Sequence, residues 1–271
     1  MSANDHRQRV FSIAITSVGR VLLVRDRLLG RVSWKVRGES AHAGVSRHSI
    51  QSGKNLLDAV FVIPDGDAPR ASVLICHGIG ETVDHWIPVQ QILAASGVAS
   101  LVFDYSGYGR SSGHFTSAQS ERDTISAFHF LQRLTAPLPV SILGFSLGTG
   151  IASAILSKVP AHRLVLCAAF TSFRSAAARV GVPKAFAFAV PPIWDAADAL
   201  RENTAPVLIV HGERDRLFPV KMARKLNALC GSTSKLVIVP GLAHNEPFRY
   251  PKISYWGHIV SRFLLEGAAE L

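Results

Sequence analysis

The chain predicts an α/β fold built on a mostly parallel, doubly wound sheet with helices on both faces. Two observations carry this reading. Short apolar runs rich in Val, Ile and Leu recur without polar alternation at Ser72–Cys76, Ala99–Phe103, Val140–Leu143, Leu164–Ala168, Val207–Val210 and Leu236–Val239. Strands covered on both faces have this composition, because neither face meets water. Helix-like segments fill the intervals, at Trp86–Ala95, Ala118–Leu134, Leu147–Lys158, Val220–Leu229 and Ile253–Leu265. Strands alternating with helices indicate parallel crossovers. Ahead of them, Arg47–Gln51 and Leu56–Ile63 read as two antiparallel strands, with turns at Ser52-Gly53 and in the Pro64–Pro69 loop.

Composition narrows the function classes. Hydrophobic residues make up 48% and charged residues 18% of the 271 residues, a globular balance with no internal repeat. Three cysteines cannot frame a disulfide scaffold, and Cys76 and Cys167 lie in strand-like runs, which favours a reducing, cytoplasmic setting. No CxxC, HExxH or EF-hand spacing occurs, so neither a metal nor a cofactor is expected. The net charge of +10 is concentrated at the front, where residues 1–50 hold nine basic side chains against three acidic ones. Such an excess attracts polyanions or anionic membranes, but no nucleic-acid motif accompanies it and no nucleic-acid partner is expected. Residues 1–46 therefore read as a basic N-terminal segment ahead of a catalytic domain at 47–271. The apolar stretch Val10–Val24 is short for a membrane span and lacks a small-residue cleavage site after it. A peripheral anchor, with residues 7–37 against anionic lipid, is the expectation; a packed element and a cleaved signal are the alternatives.

Chemistry gathers beyond the carboxyl ends of strands in such sheets. After Val140–Leu143 comes Gly144-Phe145-Ser146-Leu147-Gly148, a G-x-S-x-G sequence running straight into a helix-like stretch. A serine here sits on a sharp turn with its hydroxyl raised above the sheet, and a β-carbon at either glycine would strike the neighbouring strand or helix. A serine hydroxyl needs a base and an orienting acid. Asp215 follows the Val207–Val210 strand and His244 follows the last strand, in the chain order Ser, Asp, His. Glu213 is the nearest rival acid, with Asp195 and Asp198 more remote. The oxyanion requires two amide donors. Leu147, after the nucleophile, supplies one. Ile79, in the loop His77-Gly78-Ile79-Gly80-Glu81-Thr82, supplies the other, with His77 supporting the loop.

The runs His77–Glu81, Phe103-Asp104-Tyr105-Ser106-Gly107-Tyr108-Gly109-Arg110-Ser111-Ser112-Gly113 and the Ser146 elbow resemble the α/β-hydrolase superfamily. The resemblance is closest to its monoacylglycerol-lipase, lysophospholipase-like and serine-aminopeptidase-like branch, and Phe170–Arg174 is also similar to relatives that include protein depalmitoylases. It covers about Ile63 to Phe263 and specifies fold and triad, not substrate. It implies that Asp104 belongs to a structural loop outside the triad. It also implies a short lid insertion at about 169–206, where Phe173, Phe186, Phe188 and Trp194 would wall an acyl pocket; one core helix with a packed loop is the alternative for that segment.

Together these features predict hydrolysis of a carboxylic ester, an acyl ester for preference, through an acyl-enzyme, with a small-molecule substrate. Thioesterase, aminopeptidase or amidase, and acyltransferase chemistry use the same triad. An aminopeptidase would need an acid to hold the substrate amine, for which Glu81 and Glu246 are candidates. Serine in the elbow argues against dehalogenases and epoxide hydrolases, whose nucleophile is aspartate. A binding protein on a hydrolase scaffold is the non-enzymatic alternative.

Overall fold

The computed structural model describes residues 43–180, 190–230 and 234–267. Residues 7–37, with the apolar stretch Val10–Val24, lie outside the described residues, as do Phe186 and Phe188 of the expected pocket.

Eight strands form one sheet in the order β1-β2-β4-β3-β5-β6-β7-β8. The hairpin β1 (Ala43–Ser52) and β2 (Asn55–Pro64) is antiparallel, with the two-residue turn Gly53-Lys54 between Ser52 and Asn55. β1 starts at Ala43, inside the stretch assigned from sequence to the N-terminal segment. β2 pairs antiparallel with β4 (Val98–Phe103), and β3 (Ala71–Cys76), β4, β5 (Val140–Phe145), β6 (Leu164–Cys167), β7 (Val207–Gly212) and β8 (Ser234–Val239) run parallel.

Strand periodicity divides the core into two layers, because successive side chains leave opposite faces. Leu74, Leu101, Ile142, Leu166 and Ile209 pack on one side. There they meet α2 (Ser117–Thr135), α3 (Leu147–Ala154), α5 (Ala196–Arg201) and α6 (Val220–Leu229) through Phe128, Leu131, Ile151, Leu200 and Leu226. Ile75, Val102, Leu143, Val165 and Val210 face the other side. They bury Trp86 and Leu93 of α1 (Val83–Ala95) and Trp256, Val260 and Phe263 of the C-terminal helical segment. Helices therefore cover both faces, and the β5 strand at the middle is buried along its whole length.

The C-terminal helix departs from the expected single α-helix. It runs as α8 (Ile253–Tyr255), a π-helical stretch (Trp256–Ser261) and α9 (Arg262–Glu266). Likewise the helix after Ser146 ends at Ala154 and a 3-10 turn continues at Leu156–Lys158. Among the described residues, three short helices have no counterpart in the sequence expectation as separate elements: α4 (Phe173–Arg179), α5 and α7 (Glu246–Arg249). Local capping starts two of them, since Ser172 Oγ accepts from the Ser175 amide and Asp195 Oδ1 from the Asp198 amide. Among the described residues, the segment 169–206 holds the two short helices α4 and α5.

Candidate active site

Four loops leave the carboxyl ends of parallel strands and meet at one rim. The first carries Ser146 between β5 and α3. Its backbone lies at φ 50°, ψ −116°, a conformation L-residues rarely occupy. Strain of this kind costs on the order of 1–3 kcal/mol and persists where the surroundings enforce it. Here they do. The Ser146 amide donates to Cys167 O at 3.0 Å, and Thr149 closes the turn onto Ser146 O at 3.0 Å. A β-carbon on Gly144 would lie 2.6 Å from Gly148 O, and one on Gly148 only 1.9 Å from Cys76 O. Both glycines are required because the turn is pressed between α3 and the end of β3.

The second and third loops present Asp215 after β7 and His244 after β8. They are tied to each other: the Glu213 amide donates to Val239 O at 3.0 Å, the Arg214 amide to Leu242 O at 2.9 Å, and the Gly241 amide to Glu213 Oε2 at 2.9 Å. This fixes the spacing of acid and imidazole. Asp215 Oδ1 accepts the amides of Leu217 (2.9 Å) and Phe218 (2.8 Å), and Oδ2 stands 2.7 Å from His244 Nδ1. His244 Nε2 is 2.9 Å from Ser146 Oγ. An ionised carboxylate only accepts, so Nδ1 carries the proton and Nε2 is left as the acceptor facing the hydroxyl. The Asp215 side chain is fully buried and that of His244 is 10% exposed, so the acid is shielded from solvent. Phe218 packs edge-on against the imidazole at 5.1 Å and Phe145 lies 6.0 Å from it, which limits its rotation.

The fourth loop, His77–Gly80, follows β3. Among the described residues, the hydrogen bonds that close the turns of this loop and of the elbow leave out the amides of Ile79 and Leu147. His77 is fully buried, its Nδ1 2.8 Å from Gly78 O, and burial lowers its pKa to about 4. Tyr105 donates its hydroxyl to His77 O at 3.1 Å. Asp104 Oδ1 accepts the Val83 amide at 2.9 Å and so anchors the start of α1 rather than contacting His244.

The rival acids are engaged elsewhere. Glu213 is exposed and holds Gly241, Asp195 caps α5, and Asp198 pairs with Arg201. Trp194 is buried and stacks edge-on with Phe173 at 5.4 Å. Sequence reasoning missed the continuation of that contact: Trp194 meets Phe115 (6.1 Å), Phe115 meets Tyr108 (5.2 Å), and Tyr108 meets His77 (5.5 Å). An aromatic row thus leads from the His77–Gly80 loop to α4. His211 was also missed. Its Nε2 donates to Phe218 O at 2.7 Å and lies 3.4 Å from Asp215 Oδ2, and burial lowers its pKa. Its place in the strand-end sequence His211–Asp215 was the available signal. Among the described residues no group of three or more His, Cys, Asp or Glu side chains is placed to hold a metal ion.

Known proteins share this frame. A solved structure of Est1E from Butyrivibrio proteoclasticus with bound ferulic acid superposes with a TM-score of 0.67 at 22% identity, covering 82% of this chain and 99% of that one. The chain folds as an α/β-hydrolase. The family model described as serine aminopeptidase, S33, matches residues 67–194 of this chain, a span that includes Ser146 and ends before Asp215 and His244. Lysophosphatidylserine lipase ABHD12 of Danio rerio is 27% identical over 222 residues, 71% of this chain and 57% of that protein. An uncharacterized protein of Mycobacterium tuberculosis is 28% identical over 206 residues, 73% of this chain and 70% of that protein. The chain therefore spans little more than half the length of the ABHD12 relative it matches.

Proposed function

We propose that the protein is a serine hydrolase that cleaves carboxylic esters, acyl esters for preference, through a covalent acyl-enzyme. One observation carries the reading: the unbroken relay of 2.9 Å from Ser146 Oγ to His244 Nε2 and 2.7 Å from His244 Nδ1 to Asp215 Oδ2. Ser146 Oγ attacks the ester carbonyl as Nε2 takes its proton, and the amides of Ile79 and Leu147 stabilise the oxyanion. The tetrahedral intermediate collapses, the imidazolium returns the proton to the departing alcohol, and water repeats the cycle on the acyl-serine. Asp215 holds the imidazole in the required tautomer throughout.

Two observations favour an ester over an aminoacyl substrate. The carboxylates considered for amine binding are already engaged: Glu81 Oε2 accepts the Gly78 amide and the Trp86 indole, and Glu246 Oε2 accepts the Ala243 amide at 2.8 Å. The row Tyr108, Phe115, Trp194 and Phe173 supplies an apolar wall suited to an acyl chain. The names of the lipase relative and of the ferulic-acid-bound structure agree with this class. The test is a chain-length series of p-nitrophenyl esters, with matched thioesters and aminoacyl p-nitroanilides, on wild type and Ser146→Ala. Esters should lead, and Ser146→Ala should abolish turnover. Faster cleavage of aminoacyl anilides than of any ester would overturn the substrate class.

The basic stretch 7–37 is proposed to hold the enzyme against anionic lipid. No helix among the described residues is long and apolar enough to cross a membrane. Equal sedimentation of full-length and residue-43-truncated protein with phosphatidylserine vesicles would remove this part of the proposal.

A further inference from the structure

We infer that Glu81 is a positioning residue, which holds the oxyanion loop in its working shape by joining the Gly78 amide to the aromatic cluster behind Ser146 and His244. The inference rests on the ester-hydrolase reading above.

The joint is a single oxygen. Glu81 Oε2 accepts the Gly78 amide at 2.7 Å and the Trp86 indole N–H at 2.9 Å, so it binds the loop to α1. The other carboxyl oxygen lies against the same peptide: a β-carbon on Gly78 would stand 2.6 Å from Oε1. Carboxyl and glycine are interlocked, and the Gly78 peptide cannot rotate without expelling the Glu81 side chain. The next amide along the chain is that of Ile79. Fixing the Gly78 peptide therefore limits where the Ile79 N–H can point.

The far end of the joint gives it a fixed reference. Trp86 contacts Phe145 at 5.8 Å, Phe248 at 5.3 Å and Trp256 at 5.7 Å. Phe145 immediately precedes Ser146, and Phe248 lies in α7, just after the His244 loop, and packs on Phe145 at 6.0 Å. Nucleophile, base and oxyanion donor are thus referred to one rigid cluster. The His244 loop uses the same device, with Glu246 taking the amide three residues before it as Glu81 does.

This arrangement is expensive for a merely structural contact. Glu81 is buried, and burial raises its carboxyl to about 8. The titratable groups on the packed elements are His77 on its own loop, Asp84 and His85 on α1, Asp104, Tyr105 and Tyr108 after β4, and Glu246 and Arg249 on α7. Of these, Tyr105 and Tyr108 are pushed up chiefly by their burial and, to a smaller extent, by the Glu81 charge. The raised carboxyl sets the sign of the pH effect. Its contribution to stability is whole below about 4.5 and is lost as pH rises through about 8. Ionisation there also puts a negative charge two residues along the chain from the Ile79 amide, so turnover falls on the alkaline side.

The experiment uses the full chain, a short p-nitrophenyl ester, and wild type, Glu81→Ala, Glu81→Gln and Ser146→Ala. Loss of a complete oxyanion donor costs about 10²–10³ in kcat. A displaced Ile79 amide should lower kcat of Glu81→Ala by about 30–300-fold with KM within about threefold, and weaken a trifluoromethyl ketone inhibitor by the same factor as kcat/KM. Glu81→Gln keeps an oxygen acceptor without the charge, so it should hold kcat within about threefold and lose the alkaline decline near pH 8. If Glu81→Ala does not fold, the Glu81→Gln pH profile decides. A profile identical to wild type, or a folded Glu81→Ala with wild-type kcat, overturns the inference. Ser146→Ala turning over at the wild-type rate would instead overturn the underlying ester-hydrolase reading.

Discussion

Asp215→Asn should abolish the proposed ester turnover by imposing the wrong histidine tautomer, and the hydrogen bonds of Asp215 show why. Asparagine has one acceptor oxygen, and the Leu217 and Phe218 amides at 2.9 and 2.8 Å claim it. Turning the side chain over would leave the buried Phe218 N–H and the half-buried Leu217 N–H facing an NH₂, at about 1–3 kcal/mol for each donor left unsatisfied. That favours the oxygen-on-amide orientation by roughly 30-fold or more. The NH₂ then faces His244 Nδ1, which must become the acceptor, and the proton moves to Nε2. In that tautomer Nε2 cannot take the Ser146 proton. The expected loss in kcat is about 10⁴, or about 5 kcal/mol of transition-state stabilisation. The assay is burst and steady-state release of p-nitrophenol at pH 7.5, with thermal melting to verify the fold. Glu213→Gln, which leaves the imidazole untouched, should stay within about twofold of wild type. A folded Asp215→Asn retaining a tenth of wild-type kcat would refute the assignment of Asp215.

Two further predictions concern packing. In Gly148→Ala the new β-carbon, 1.9 Å from Cys76 O, forces the elbow and the end of β3 apart by about 1 Å; since 1 Å of misplacement costs about 10²-fold, kcat should fall by that order and overpacking of about 2 kcal/mol should lower Tm by about 4–8 °C. Wild-type kcat and Tm in that variant would contradict the described closeness. Phe173→Ala removes one end of the aromatic row, and kcat/KM for octanoyl and longer esters should drop about tenfold while acetyl esters change little; an equal effect on all chain lengths would remove Phe173 from the acyl wall.

The sheet was legible because its strands are apolar on both faces. Ser72–Cys76 falls one residue short of β3, and Ala99–Phe103 one short of β4. The expectation at Leu236–Val239 missed Ser234 and Lys235 of β8, an edge strand that tolerates polar residues because one side meets solvent. Helices of four to seven residues, such as α4, α5 and α7, are too short to show a 3.6-residue pattern and are set by capping and tertiary contact instead. In the site, Ser146 was legible from its glycines, and Asp215 and His244 from chain order at strand ends. Glu81 and Glu246 drew attention as acids near the site, but sequence gave no means of telling a carboxylate that waits for a substrate amine from one already bound to a backbone N–H three residues away. Tyr108 and Phe115 were hidden for a different reason. They lie outside the 169–206 segment and join Trp194 only through the crossover of the chain.

The central claim is that Ser146 is made nucleophilic by His244, and covalent trapping tests it most directly. Wild-type protein treated with a fluorophosphonate, digested and mapped by mass spectrometry should carry the adduct on the peptide containing Ser146. Labelling should vanish in Ser146→Ala and slow by at least about 10³-fold in His244→Ala. An adduct on another residue, or His244→Ala labelling as fast as wild type, would contradict the account.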